Sequence, residues 1–72
     1  MTNTELLESK IKSSGKKIGY LAEKCGMSHQ HFRRCCNNEA EFRASQIESL
    51  CVELGISNLK ERQAIFFAKS GL

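Results

Sequence analysis

Five side chains that could bind a metal ion or act as nucleophiles lie within twelve residues of one another: Cys25, His29, His31, Cys35 and Cys36. Zinc sites use such ligands, but commonly with C-x-x-C spacing, which this sequence lacks. Adjacent residues on a helix also point about 100° apart, so Cys35 and Cys36 diverge. The spacing therefore argues against a metal site.

Catalysis by a cysteine–histidine pair is not expected either. Such a pair needs a third group to orient the base, and no suitable acid lies nearby in sequence. A chain of 72 residues also has little room for a substrate pocket. We therefore predict that the protein is not an enzyme and uses no cofactor and no small-molecule ligand.

Basic charge is concentrated in the same part of the chain. The formal net charge is only +3, but residues 9–36 carry seven basic side chains and one acidic one, a net charge of +6. Residues 37–72 carry four basic and five acidic side chains, a net charge of −1. A basic segment attracts phosphates or acidic protein surfaces. The alternative is that these charges only solvate exposed helix faces.

Short helices are predicted to position these side chains. The chain has no proline, and glycines at positions 15, 26 and 55 separate segments in which apolar residues recur at helical spacing. The predicted helices cover residues 4–12, 17–24, 29–36, 45–54 and 58–69. We expect an all-α fold, a compact bundle of five short helices forming one domain over residues 1–72, with no strand.

Local signals mark several helix ends. Ser28 is suited to cap the third helix, and Gly26 to end the second in the left-handed conformation. Ser45 with Glu48 forms a predicted capping box, and Asn58 with Glu61 repeats that pattern. Between them, the loop at residues 37–44 contains one bulky apolar residue, Phe42, which we expect to anchor it.

The third helix should have one buried face and one available face. Phe32 and Cys35 fall on the face expected to pack inward. The remaining side chains of interest, His29, Gln30, Arg33 and Arg34, fall elsewhere on the helix. Such a positively charged helix, held by a partner helix, fits the DNA major groove.

This segment resembles the helix-turn-helix of the XRE family, the Cro and phage-repressor type. The resemblance is carried by Leu21, Ala22, Gly26, Met27, Ser28 and Phe32. It covers about residues 4–56 and places the helix-turn-helix at residues 17–36. The resemblance implies a lambda-repressor-like DNA-binding domain that binds double-stranded operator DNA.

The resemblance also implies which residues make contact. Base edges, or a protein partner, would be met by His29, Gln30, Arg33 and Arg34. Phosphates, or a partner, would be met by Lys16, Lys17, Asn37, Asn38, Arg43 and Ser45. One position departs from the family: Ile18 stands where many members have a phosphate-binding Gln, so Lys16 and Lys17 would have to compensate.

The last predicted helix places Ile65, Phe66, Phe67 and Ala68 in succession. They cannot all face one core, because successive residues are separated by about 100°. We therefore predict a dimer or partner surface at Ile65, Phe66 and Phe67. The alternative is that the domain buries all but one Phe. A two-fold dimer would set two recognition helices roughly 34 Å apart, one turn of DNA.

Two functions follow from the sequence. The first is a Cro-like regulator that represses transcription by occupying an operator. The second is an antirepressor that binds a partner phage repressor and blocks its DNA-binding surface. Either would act in the cytoplasm, because Glu5 and Glu8 are unsuited to a signal peptide and the longest apolar run, at residues 64–68, is too short to span a bilayer.

Overall fold

The computed structural model describes residues 1–68 and contains five α-helices. They are α1 (Thr4–Ser14), α2 (Ile18–Lys24), α3 (His29–Cys36), α4 (Ala44–Leu54) and α5 (Leu59–Phe66). The predicted all-α bundle of five short helices is confirmed, and residues 1–68 contain no strand. None of these helices combines the length and the apolar character that a membrane span requires.

The turn between α2 and α3 forms as the sequence predicts. Gly26 has a positive φ of 70°, a conformation that costs glycine little because it has no Cβ. The N–H of the next residue, Met27, donates back to the Ala22 carbonyl of α2 at 2.9 Å. Ser28 then caps α3, its Oγ accepting from His31 N at 3.1 Å. The chain therefore leaves α2 and enters α3 within four residues.

Five helix ends differ from the predictions, and two of these differences are starts one residue later than expected, α2 at Ile18 and α5 at Leu59. Helix α1 continues to Ser14 before the left-handed Gly15, and α5 ends at Phe66, earlier than expected. The predicted end of the last helix, Lys69, lies outside the described residues. The capping box at Ser45 was wrong, because α4 begins at Ala44 with Arg43 as its N-cap. The arginine side chain has no acceptor for a cap. A side-chain bond forms in the other direction, with Arg43 N donating to Gln46 Oε1 at 2.8 Å.

All five helices and the turn after α4 contribute to one core, as the apolar spacing predicts. Phe42 anchors the α3–α4 loop, as expected, with its ring centroid 5.8 Å from those of both Phe32 and Phe66 in edge-on contacts. Leu6, in contrast, points away and is 43% exposed. The buried apolar residues are Leu7, Leu21, Ala22, Phe32, Cys35, Ile47, Leu50, Cys51, Ile56, Ile65 and Phe66.

The N-terminal residues close the bundle against its other end. Asn3 caps α1 through its side chain, and its N–H donates to the Ile65 carbonyl at 2.6 Å. Two residues past the end of α5, Ala68 N donates to the Met1 carbonyl at 2.9 Å. These bonds hold the start of α1 against the end of α5.

Candidate functional site

Helix α3 is held from one side only. Phe32 and Cys35 are both 0% exposed, and the Ser28 cap satisfies one of the amides that the first turn leaves free. The packing of these two side chains fixes the rotation of the helix about its axis. The opposite face of α3 is consequently presented to solvent.

Four of the exposed side chains of α3 form what we call the α3 ridge: His29, Gln30, Arg33 and Arg34. At about 100° per residue, Gln30, Arg33 and Arg34 lie within roughly 100° of one another around the helix, opposite Phe32. Neither arginine forms an ion pair within residues 1–68. The ridge therefore offers two guanidinium groups and an amide that can bind an acceptor-rich surface.

The two arginines face different surroundings. Arg33 lines a groove of about 210 Å³ between α1 and α3, together with Thr4, Glu8 and Asn37. Arg34 does not line that groove and lies about 100° further around α3. The ridge thus has a side toward α1, occupied by Arg33, and a central strip occupied by Gln30 and Arg34.

Lys16, one of the predicted phosphate contacts, bonds to another residue of the same chain, Glu53. Its Nζ lies 2.7 Å from the Glu53 carbonyl oxygen and 3.0 Å from Glu53 Oε1. The same carboxylate oxygen accepts from the Tyr20 hydroxyl at 3.1 Å. Lys16 therefore joins the start of α2 to the end of α4 in this structure.

The Asn38 side chain also forms hydrogen bonds within the protein, to the backbone of Thr2. Its Oδ1 accepts from Thr2 N at 2.9 Å, and its Nδ2 donates to the Thr2 carbonyl at 2.7 Å. The backbone of Asn38 has a φ of 64°, which asparagine tolerates better than most residues. Glu39 N bonds back to the Arg34 carbonyl at 2.8 Å, so Asn38 ends α3 as the left-handed residue of a Schellman motif.

The other predicted phosphate contacts remain exposed: Lys17, Asn37, Arg43 and Ser45. Lys17 is the N-cap of α2, and Asn37 is the C-cap of α3. Arg43 and Ser45 lie at the start of α4. The ends of three helices therefore carry the polar groups that accompany the ridge.

The predicted partner surface on α5 requires a correction. Ile65 and Phe66 are only 1% and 4% exposed, because both pack into the protein's own core. Phe67, at the C-cap of α5, is 57% exposed. The four successive apolar residues are thus accommodated largely by burial, and a single phenylalanine is left at the surface.

The four cysteines are free thiols, with Cys35 and Cys51 buried and Cys25 and Cys36 half-buried. Burial raises the pKa of all four, and for Cys36, which also neighbours the Cys35 thiol, the pKa rises to about 12. Cys35 Sγ lies 3.8 Å from the His31 Nε2 one turn earlier. Among residues 1–68, no three His, Cys, Asp or Glu side chains converge as metal ligands.

Sequence reasoning did not identify Tyr20, Glu53 or Thr2 as partners of predicted site residues. The contacts with Glu53 and Thr2 join residues 33 to 37 positions apart, so no local spacing reveals them. The left-handed Asn38 had a local signal, because an asparagine just past a helix commonly adopts this conformation. No known protein family, curated protein or solved structure matches the chain.

Proposed function

We propose that the protein is a small Cro-like transcriptional regulator in which α2 and α3 act as a helix-turn-helix on operator DNA. The observation that carries the proposal is the α3 ridge, where two arginines without an ion-pair partner among residues 1–68 lie away from the buried Phe32 and Cys35. A helix fixed on one face and basic on the other fits the major groove. Such a regulator would act in the cytoplasm.

In this proposal, some ridge side chains contact the edges of DNA bases and others contact the DNA backbone. Gln30 and Arg34 read base edges, since glutamine pairs well with adenine and arginine with guanine. His29, at the first position of α3, lies on the same side of the helix as Arg33, one turn before it. Arg33, on the side toward α1, contacts a phosphate or an outer base. Lys17, Asn37, Arg43 and Ser45 supply phosphate contacts, which position the protein without reading sequence.

The test is binding of the pure protein to its own upstream promoter DNA across a salt series. We expect affinity to fall steeply with salt, because phosphate contacts release counterions. Arg34→Ala should weaken operator binding by roughly fivefold to 150-fold, the equivalent of about 1 to 3 kcal/mol for one bidentate base contact. Lys60→Ala is the matched control, since Lys60 is an exposed basic residue on α5.

Arg33→Ala separates the two arginine roles. If Arg33 contacts a phosphate, its loss should lower affinity for operator and unrelated DNA by a similar factor, whereas Arg34→Ala should lower operator affinity selectively. Equal, small effects of all three alanine variants would contradict the proposal. Binding to duplexes with single base changes would then locate the base that Arg34 reads.

One observation favours the alternative, an antirepressor that binds a partner phage repressor. Lys16 and Asn38 are engaged with Glu53 and Thr2, so two of the predicted phosphate contacts are occupied within the protein. In this alternative the ridge arginines pair with acidic side chains of the repressor. Capture of a co-encoded repressor in the absence of DNA, without an operator shift by this protein alone, would establish it.

A further inference from the structure

Glu53, near the end of α4, binds two side chains from the region of α2, those of Lys16 and Tyr20. Its carboxylate accepts from Lys16 and Tyr20, at 3.0 and 3.1 Å, and its main-chain carbonyl accepts from Lys16 at 2.7 Å. Two of the three protons on the Lys16 ammonium are thereby used. The ammonium group is directed toward α4 instead of outward.

The Tyr20 ring strengthens this arrangement. Lys16 Nζ lies 5.7 Å from the ring centroid and Lys24 Nζ lies 5.5 Å from it, within the range of cation–π attraction. Hydrogen bonds from Lys16 and Tyr20 lower the pKa of Glu53, so its carboxylate is charged at neutral pH. Lys16 is therefore held by an ion pair, a carbonyl and an aromatic ring.

The adjacent Lys17 has the same side chain but a different environment. It is exposed at the N-cap of α2 and forms no ion pair within residues 1–68. Consecutive Cα atoms are about 3.8 Å apart, so the two lysines have adjacent backbone positions at the start of α2, which belongs to the proposed DNA-binding helix-turn-helix. What distinguishes them is that Lys16 has Glu53 as a partner.

The Lys16–Glu53 pair is accessible to competitors. The two side chains are 37% and 20% exposed, so solvent and a DNA phosphate can reach them. An exposed ion pair is weak by itself, and the carbonyl bond and the Tyr20 ring add to the attraction that holds Lys16. A DNA phosphate could therefore accept Lys16 if Glu53 did not hold it. Glu53 and a phosphate compete for the same ammonium group.

We propose that Glu53 is a specificity-determining residue that withholds Lys16 from DNA phosphates and so limits sequence-independent binding. The inference rests on the DNA-binding function proposed above. Each phosphate neutralised adds about 0.9 to the slope of log affinity against log salt concentration, whatever the sequence. A regulator must discriminate its operator from a large excess of other sites. Fewer phosphate contacts lower the affinity for those other sites and so raise the ratio of operator affinity to non-specific affinity.

The experiment measures affinity for a short duplex of mixed sequence that lacks the operator. Glu53→Ala should steepen the salt slope by about 0.9, which is roughly a 3.5-fold larger loss of affinity between about 50 and 200 mM salt. Glu48→Ala is the matched control, because Glu48 is an exposed glutamate on α4 that forms no ion pair in the described part of the chain. Its removal changes net charge equally but releases no lysine.

The Lys16→Gln variant identifies the group responsible. In the Glu53→Ala background it should remove the extra slope, and in the wild-type background it should leave the slope within about 0.3 of its value. The inference is overturned if Glu53→Ala and Glu48→Ala give equal slopes, or if Lys16→Gln alone lowers the wild-type slope by about 0.9. Either result means that Glu53 does not control Lys16.

Two further measurements keep the result interpretable. Thermal melts should show that each variant folds, and Glu53→Gln, which keeps an acceptor without the charge, should change the slope in the same direction by a smaller amount. If neither the wild type nor any variant binds the operator or the mixed duplex at low salt, the proposed DNA-binding function is wrong, and this inference with it.

Discussion

Glu53 shows how a single carboxylate links two helices that are distant in sequence. Its folded-state pKa is lowered by hydrogen bonds from Lys16 and then Tyr20, so the folded protein binds its proton more weakly than the unfolded chain does. The resulting stabilisation is complete above the unfolded-state pKa and is lost as the pH falls through the folded-state pKa. The contribution is therefore an acid-sensitive one.

We predict that Glu53→Ala reduces the acid sensitivity of folding. Below roughly pH 5, the wild-type free energy of unfolding should fall with decreasing pH more steeply than that of the variant. Urea unfolding at a series of pH values measures this difference. Glu48→Ala should retain the wild-type slope, and a slope as shallow as that of Glu53→Ala would show that the loss reflects net charge alone.

The cysteine thiols are expected to react slowly with alkylating reagents in the folded protein. Burial raises the pKa of each thiol, and that of Cys36 reaches about 12, so little reactive thiolate exists at neutral pH. Iodoacetamide at about pH 8 should modify the native protein far more slowly than the urea-unfolded chain, whose thiols have pKa values near 8.5. Intact-mass spectrometry counts the adducts. Rapid modification of Cys36 in native protein would contradict the burial argument.

At the scale of an element, the position of α3 depends on its N-terminal cap. Ser28 Oγ accepts from His31 N at 3.1 Å, and replacing such a cap by alanine typically costs about 1 kcal/mol. Ser28→Ala should therefore lower the free energy of unfolding by about that amount, whereas Ser28→Asp, which retains an acceptor, should lower it less. Denaturant titrations compare the variants.

The matched control for the cap is Ser13→Ala. Ser13 is exposed within α1 and forms no side-chain hydrogen bond in the described part of the chain, and alanine is the better helix former. This variant should be as stable as the wild type or slightly more stable. A loss equal to that of Ser28→Ala would mean that capping is not the cause.

The helices were predictable where their signals are local. Ser28, Gly26 and Asn58 occupy the capping and terminating positions that their side chains and backbones suit. The start of α4 was not predictable in this way. Two residues there, Ser45 and Gln46, both suit a capping interaction, and the helix begins early enough for Gln46 to bond with Arg43 N.

The same distinction applies to the site. Helical spacing predicted that the α3 ridge would be exposed and that Phe32 would be buried, because both follow from one helix packing on one core. It did not predict that Lys16 and Asn38 would be engaged internally. Those contacts depend on where Glu53 and Thr2 lie in the folded chain, which only the tertiary structure determines.

At the scale of the whole molecule, a small core has to be shared by loops as well as helices. A domain of this size buries only about 60% of the surface that its unfolded chain exposes. Phe42 lies in the loop between α3 and α4, yet its ring contacts both Phe32 of α3 and Phe66 of α5. The three rings therefore connect α3 to α5.

We predict that Phe42→Ala destabilises the protein severely, whereas Phe67→Ala does not. Losing a buried phenylalanine costs roughly 3 to 5 kcal/mol, and Phe42, being half-buried, should fall at the lower end. This is most of the roughly 5 kcal/mol available to a small domain. Phe67 is 57% exposed, so the same substitution there removes little packing. Urea unfolding of both variants measures the difference, and losses of equal size would show that the aromatic contacts of Phe42 do not hold α3 to α5.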